Sequence, residues 1–160
     1  MLDTTRILGG DLGNRGGLAI VDINSGAAPQ FIDAIDIPTS GVGAKERVDV
    51  LTIRNWILSH QPQHAFIERA QAFPNQGASS GFKYGRAVGS IEAAIACCEI
   101  PVTIVEPTAW KKFHQLRGGD KEAGRQRALQ LFPAAHAALA RKKDHGRGEA
   151  ALIALFGAQQ

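Results

Sequence analysis

An α/β domain built on a mixed β-sheet is the fold class this sequence predicts, and three observations predict it. Two strand patterns separated by a glycine turn open the chain, strand and helix patterns alternate through the rest, and 44% of the 160 residues are hydrophobic. That is enough apolar content for one proper core, so residues 1–160 are expected to form a single domain.

The first strand is expected over about 6–12, where Ile7-Leu8 leads to Asp11 and then into Gly13-Asn14-Arg15-Gly16-Gly17. This tight turn returns the chain as Leu18-Ala19-Ile20-Val21, a hairpin partner over about 17–23. A third strand is expected over about 30–37, then a helix over about 44–60 that buries Val48, Leu51, Trp56 and Ile57 and ends at Pro62. Ala65-Phe66-Ile67 forms a short strand over about 64–68 that finishes in Glu68. The next helix, about 79–98, carries Lys83, Tyr84 and Arg86 on its first turns and then becomes rich in Ala and Ile. Its small residues Gly85, Gly89, Ala93 and Ala96 permit close approach, either to a twofold-related copy or to the sheet. A strand at about 101–105 and helices at about 108–115, 120–131 and 147–157 complete the pattern, the last presenting Leu152, Ile153, Leu155 and Phe156 as an apolar face. Antiparallel strands followed by strand-helix crossovers suit a mixed sheet.

Composition narrows the function classes. No apolar run exceeds seven residues, the longest ending at Phe156, so no membrane span is expected. The N-terminus Met1-Leu2-Asp3-Thr4-Thr5-Arg6 has no apolar signal region. Cys97 and Cys98 are adjacent in an apolar helix, where neighbours diverge, so they are expected to be reduced core or interface residues of a cytoplasmic protein. Charge is asymmetric. Residues 1–68 hold five Lys or Arg against eight Asp or Glu, whereas residues 69–160 hold thirteen against seven. A basic second half is the electrostatic footprint of a phosphate-backbone binder, although such runs also serve as solvated faces.

Four acids carry the candidate chemistry: Asp11, Glu68, Asp144 and Glu149. Each has an ordinary explanation alone, as a turn residue, a strand end or an answer to a helix dipole. They converge if the strands of Asp11 and Glu68 lie side by side and the last helix packs across them. Two carboxylates about 4 Å apart repel by about 4 kcal/mol at an effective dielectric near 20, a penalty that divalent cations remove. Oxygen ligands favour Mg²⁺ or Mn²⁺, and two such ions about 4 Å apart activate a water and stabilise the leaving oxygen of a phosphodiester displacement.

The pieces Gly9-Gly10-Asp11-Leu12-Gly13, Ile67-Glu68-Arg69, Gly85-Arg86-Ala87, Pro101-Val102, Pro107-Thr108-Ala109-Trp110-Lys111, Asp120-Lys121 and Asp144-His145-Gly146-Arg147-Gly148-Glu149-Ala150 span nearly the whole chain. In order and spacing they resemble the RuvC-type Holliday junction resolvases, particularly the compact forms carried by bacteriophages. The resemblance implies an RNase H-like fold: a five-stranded mixed sheet of order 3-2-1-4-5 flanked by helices. It implies a homodimer that nicks opposed strands of four-way junctions and other branched DNA, leaving 5′-phosphate and 3′-hydroxyl ends. The reaction would use two Mg²⁺ per site, with Mn²⁺ able to substitute, and no nucleotide cofactor; the setting would be cytoplasmic, in a host if phage-encoded.

Residue by residue, the resemblance makes Asp11, Glu68, Asp144 and Glu149 the metal ligands and Lys111 and Lys121 the lysines that steady the phosphate. One position departs. Family members commonly place the last two acids three residues apart, and three before Glu149 lies Gly146, which offers no ligand. Asp144 is favoured because hard Mg²⁺ prefers oxygen, with His145, four before Glu149, as the alternative ligand or proton shuttle. The family's loop Phe follows the Glu by three residues, and here Phe73 follows by five, so the match extends to the loop and its candidates Gln71 and Phe73. DNA contacts are expected from Arg69, Gln71, Phe73, Lys83, Tyr84, Arg86, Lys111, Lys112, Arg117, Lys121, Lys142, Lys143 and Arg147, with Arg141 beside them. Rival expectations are a nuclease of the same fold acting on RNA and a noncatalytic branched-DNA-binding protein. An actin-like ATPase would use Asp11-Leu12-Gly13 as a phosphate loop, but it needs two lobes.

Overall fold

The N-terminal hairpin forms with the register its alternating side chains dictate. In this computed structural model, which describes residues 3–13, 15–116, 118 and 120–160, β1 (Thr4–Asp11), β2 (Gly17–Asn24) and β3 (Gln30–Asp36) are successive antiparallel neighbours. A small ribbon follows, β4 (Thr39–Ser40) paired with β5 (Arg47–Val48), and then α1 (Val50–His60). The chain continues through β6 (His64–Glu68), α2 (Ala78–Ala96), β7 (Val102–Val105), α3 (Pro107–Phe113), α4 (Lys121–Leu131) and α5 (His145–Gly157). The main sheet has the order β3-β2-β1-β6-β7, with β6 parallel to both β1 and β7. Counting only its five strands, this is the expected 3-2-1-4-5. Asn14, Arg117 and Gly119 lie outside the described residues, and with Arg117 one of the expected DNA contacts.

Two cores flank the sheet. Leu8, Leu18, Ile20, Ala65 and Ile67 pack against Ile53 and Ile57 of α1 and Val88, Ile91 and Ile95 of α2. Ile7, Ala19 and Val21 face the other way, onto α5. The expected one-sided apolar face of α5 is corrected: every residue from Ala150 to Gly157 is buried, because the sheet covers one side and α3 and α4 the other. Its close seat on the sheet depends on Gly9, where a Cβ would collide with the Ala150 carbonyl.

The helix expected over 44–60 is the main local correction. Residues 43–45 form a 3₁₀ turn and 47–48 pair in the ribbon, so α1 begins only after Asp49, whose carboxylate accepts from the Thr52 N–H at 3.0 Å. An Asp with a free capping side chain sets a helix start. Val48 therefore lies in β5, and Leu51, expected inside, is exposed. Cys97 is exposed at the end of α2 and Cys98 is half-buried; both are free thiols.

Candidate active site

Adjacent parallel strands deliver the first two acids. Gly10 stands beside Ile67 in the β1–β6 ladder, so the next residues, Asp11 and Glu68, leave the same end of the sheet as neighbours. Helix α5 crosses that end and adds Glu149. The three carboxylates line one cavity of about 440 Å³ together with Arg15, Phe73, Tyr84, Lys111, Asp120 and Lys121. Among the described residues no three His, Cys, Asp or Glu side chains are drawn into metal-ligand geometry. The acids ring the space rather than closing on a point.

Electrostatics in the ring are strained. Burial, then the charge of Asp11, a hydrogen bond to Asp11 and the charge of Glu68, push Glu149 up to about 8, with Lys111 opposing. A bond between two carboxyl groups needs a shared proton, and the crowding of like charges favours one on this pair. Glu68 is also raised, by burial first and then by Asp11, while the indole of Trp110 pulls the other way by donating to its Oε2 at 2.6 Å. Trp110 is fully buried, so it locks one Glu68 oxygen in place. Lys111 sits 5.3 Å from the centre of the Trp110 ring, which keeps its ammonium at the cavity. Asp11 accepts from the Gly13 N–H at 3.3 Å.

Asp144 is not brought to the other acids. It ends a 3₁₀ turn, is 1% exposed, and turns back onto Arg141, accepting from its backbone N–H at 2.8 Å and its Nη2 at 2.7 Å. The reason is steric. Gly146 packs on the turn after β1, where a Cβ would stand 2.6 Å from the Arg15 carbonyl oxygen, so α5 meets that turn with backbone, and Asp144 is buried away from the cavity. His145, half-buried in the first turn of α5, does not line the cavity either. Its Nδ1 is buried with no partner among the described residues, and it lies within the fields of Asp11 and Lys121. Burial and then Lys121 lower its pKa, which disfavours the imidazolium form, with Asp11 opposing.

The expected DNA contacts divide. Phe73 is 64% exposed at the cavity, with its ring 6.4 Å from that of Tyr84. Burial, then Asp11 and Glu68, raise the Tyr84 phenol. Lys112 lines a neighbouring depression with Thr108 and Gln115. Gln71 lines a groove with Tyr84 and Gly85 along α2. Lys83 pairs with Glu46 at 3.0 Å, and the Arg86 guanidinium lies 5.4 Å from the Phe82 ring. Arg69 pairs with Glu106 at 2.6 Å on the surface. Lys142 and Lys143 are exposed but do not line the cavity. Arg147 is corrected: it clasps Asp36 at 2.8 and 2.9 Å and the Ala138 carbonyl at 3.2 Å, tying α5 to the end of β3. Trp110 and Arg15 belong to the site without having been singled out. Arg15 was legible only as a cation inside the glycine turn after Asp11, and Trp110 only through its position before Lys111.

No protein-family model matches the chain, and no curated protein matches its sequence. Solved structures do. The Thermus thermophilus RuvC structure in complex with Holliday junction substrate superposes with a TM-score of 0.72 at 20% identity, covering 96% of this chain and 93% of that one. A Thermus thermophilus RuvC structure gives 0.67 at 20% identity with the same coverage. The yeast mitochondrial Holliday junction resolvase Ydc2 gives 0.62 at 12% identity, over 95% of this chain and 78% of that one. With its five-stranded mixed sheet crossed by α5, the chain has the RNase H-like fold in its RuvC form.

Proposed function

We propose that the chain is a metal-dependent, structure-selective endonuclease that nicks four-way and other branched DNA, all 160 residues forming one nuclease domain. The observation that carries this reading is the gathering of Asp11, Glu68 and Glu149 around one cavity with Lys111 and Lys121, on a fold shared with solved Holliday junction resolvases.

The donor set fits a hard divalent cation. Three crowded carboxylates, one forced to hold a proton, and an unpartnered imidazole nitrogen are the groups such a charge would satisfy. Asp11, Glu68 and Glu149 would hold it, with His145 rather than Asp144 as the fourth donor. Two Mg²⁺ per site, replaceable by Mn²⁺, are the proposed complement. When bound, such ions make a water nucleophilic and stabilise the leaving oxygen.

The chain's own groups do the rest. Glu149 would release its proton to solvent on holding the cation. Trp110 keeps Glu68 from turning away. Lys111 and Lys121 steady the nonbridging phosphate oxygens as negative charge develops. Phe73, exposed beside the acids, is positioned to wedge between bases at a junction centre. Hydrolysis in this arrangement leaves 5′-phosphate and 3′-hydroxyl ends. A homodimer is the proposed assembly: Gly85 and Gly89 of α2 are exposed with open space where a Cβ would stand, and Val102 and Ile104 are exposed on β7, an edge strand of the main sheet.

The test is incubation of the purified chain with labelled four-way junction, Y-fork, linear duplex and RNA duplex, with and without Mg²⁺. Paired symmetric nicks in the junction, only with metal, are expected. Metal-independent cutting, or preference for RNA, overturns the reading.

A further inference from the structure

Two depressions leave the acidic cavity. One passes Lys111, Leu116 and Gly118 toward Thr108 and Lys112 over α3. The other, a small space of about 60 Å³, shares Gly13 with the cavity and lies between the β4–β5 ribbon and α2. We infer that this second groove is a track for the DNA backbone on one side of the cleaved phosphodiester, with the ribbon as its outer wall. The inference rests on the branched-DNA reading and extends it to residues 39–48, a segment outside the expected DNA contacts.

Charge and geometry support that occupant. Arg47, Lys83 and Arg86 line the groove against a single carboxylate, Glu46. Arg47 donates from Nη1 to the carbonyls of Ala44 at 3.0 Å and Glu46 at 2.9 Å, which holds its guanidinium plane while Nε and Nη2 have no partner among the described residues. A fixed guanidinium with two free donors matches a phosphate better than a mobile cation does. Lys83 and Glu46 span the groove at 3.0 Å, but both are well exposed, so their pairing is weak and a phosphate can take Glu46's place. At the ribbon's tip, Gly41 and Gly43 adopt φ of 81° and 59° and hold Val42 89% exposed. An apolar side chain carried on a two-glycine tip beside a basic groove is suited to contact base edges or sugars next to the tracked backbone.

Junction binding, read by fluorescence anisotropy of a labelled four-way junction in EDTA across a salt series, tests this in an Asp11→Asn background. Arg47→Ala is expected to weaken binding about fivefold at moderate salt and to lower the slope of log affinity against log salt by about 0.9, whereas Arg47→Lys keeps the slope. Glu46→Gln is expected to tighten binding about two- to threefold by releasing Lys83. A groove with only a structural role predicts no gain in binding for Glu46→Gln. Thermal unfolding of each variant separates misfolding from lost contacts. Intact junction binding by the background protein, with affinity and slope unchanged in Arg47→Ala and no gain in Glu46→Gln, overturns the track. Failure of the background protein itself to prefer junction over linear duplex overturns the branched-DNA reading beneath it.

Discussion

Glu149 and Asp144 are five residues apart, both at the start of α5, and their surroundings treat them in opposite ways. Asp144 is buried, yet its side-chain and backbone hydrogen bonds from Arg141 outweigh that burial and hold its pKa below the ordinary range. Glu149 is buried against two other carboxylates, and its pKa is pushed up to about 8. One acid has been satisfied by the protein and the other left wanting. A charge whose partners are all internal is a fold element, whereas a charge crowded by like charges at an open cavity awaits something from outside. The first expectation from the comparison is therefore the largest. Asp11→Asn removes one member of the crowded ring and is expected to cut the cleavage rate by about 10³-fold or more while junction binding persists; retained cleavage would remove Asp11 from the site.

The two acids also separate by substitution. His145→Ala is expected to raise the Mg²⁺ requirement for cleavage about 10–100-fold with little change in stability, by the logic of a lost metal contact. Asp144→Asn is expected to do the reverse, costing about 1–3 kcal/mol of stability through the broken Arg141 contacts and leaving the Mg²⁺ requirement where it was. A Mg²⁺ titration of cleavage beside a denaturant melt reads both. If Asp144→Asn raised the Mg²⁺ requirement instead, the comparison would be inverted.

How far sequence reached is visible in the same pair. The hairpin and the mixed sheet were legible because glycine turns and alternating apolar residues act over a few positions, whereas the strand order came from the family resemblance and not from periodicity. Asp11 and Glu68 were legible as acids at strand ends, and Glu149 as an acid on the helix that must cross them. The side on which Asp144 falls was not, because it depends on Gly146 meeting the Arg15 carbonyl across more than a hundred residues. Arg147 was misjudged for the same reason, since nothing local announces Asp36 as its partner. The start of α1 was misplaced because Val48 fits a ribbon as well as a helix, and the Asp49 cap decided between them. Trp110 illustrates a third kind of gap: its indole serves Glu68 from 42 positions away. Trp110→Phe keeps the buried ring and removes that one donor. Metal affinity, read by isothermal titration with Mn²⁺, is expected to fall about tenfold, and an unchanged affinity would make Trp110 a packing residue only.

Acidity gives the smallest and most direct contrast. Glu149 binds its proton more tightly folded, at about 8, than its ordinary 4.5. The stability it contributes is full below 4.5 and is lost as pH rises toward about 8, on the order of 1–2 kcal/mol once solvent screening is allowed for. Asp144 has the opposite sign, because its folded pKa lies below its ordinary 3.8. Its contribution is present above 3.8 and disappears as pH falls further. The two windows do not overlap, so one melting series of the metal-free protein resolves both. Between pH 4.5 and 8 Glu149 and Glu68 pull the melting temperature down as pH rises, against a gain up to pH 6.5 from His114 and His145, whose pKa values are lowered. Glu149→Gln should therefore be less destabilised by rising pH than the parent, and Mg²⁺ should stabilise the parent more at pH 8 than at pH 5 by replacing the departing proton. Below pH 3.8 a separate loss should follow, flattened by Asp144→Asn and untouched by Glu149→Gln. If the parent and Glu149→Gln showed the same pH dependence of stability from pH 5 to 8, the Glu149 carboxyl would not be crowded as described, and the contrast between the two acids would lose its physical basis.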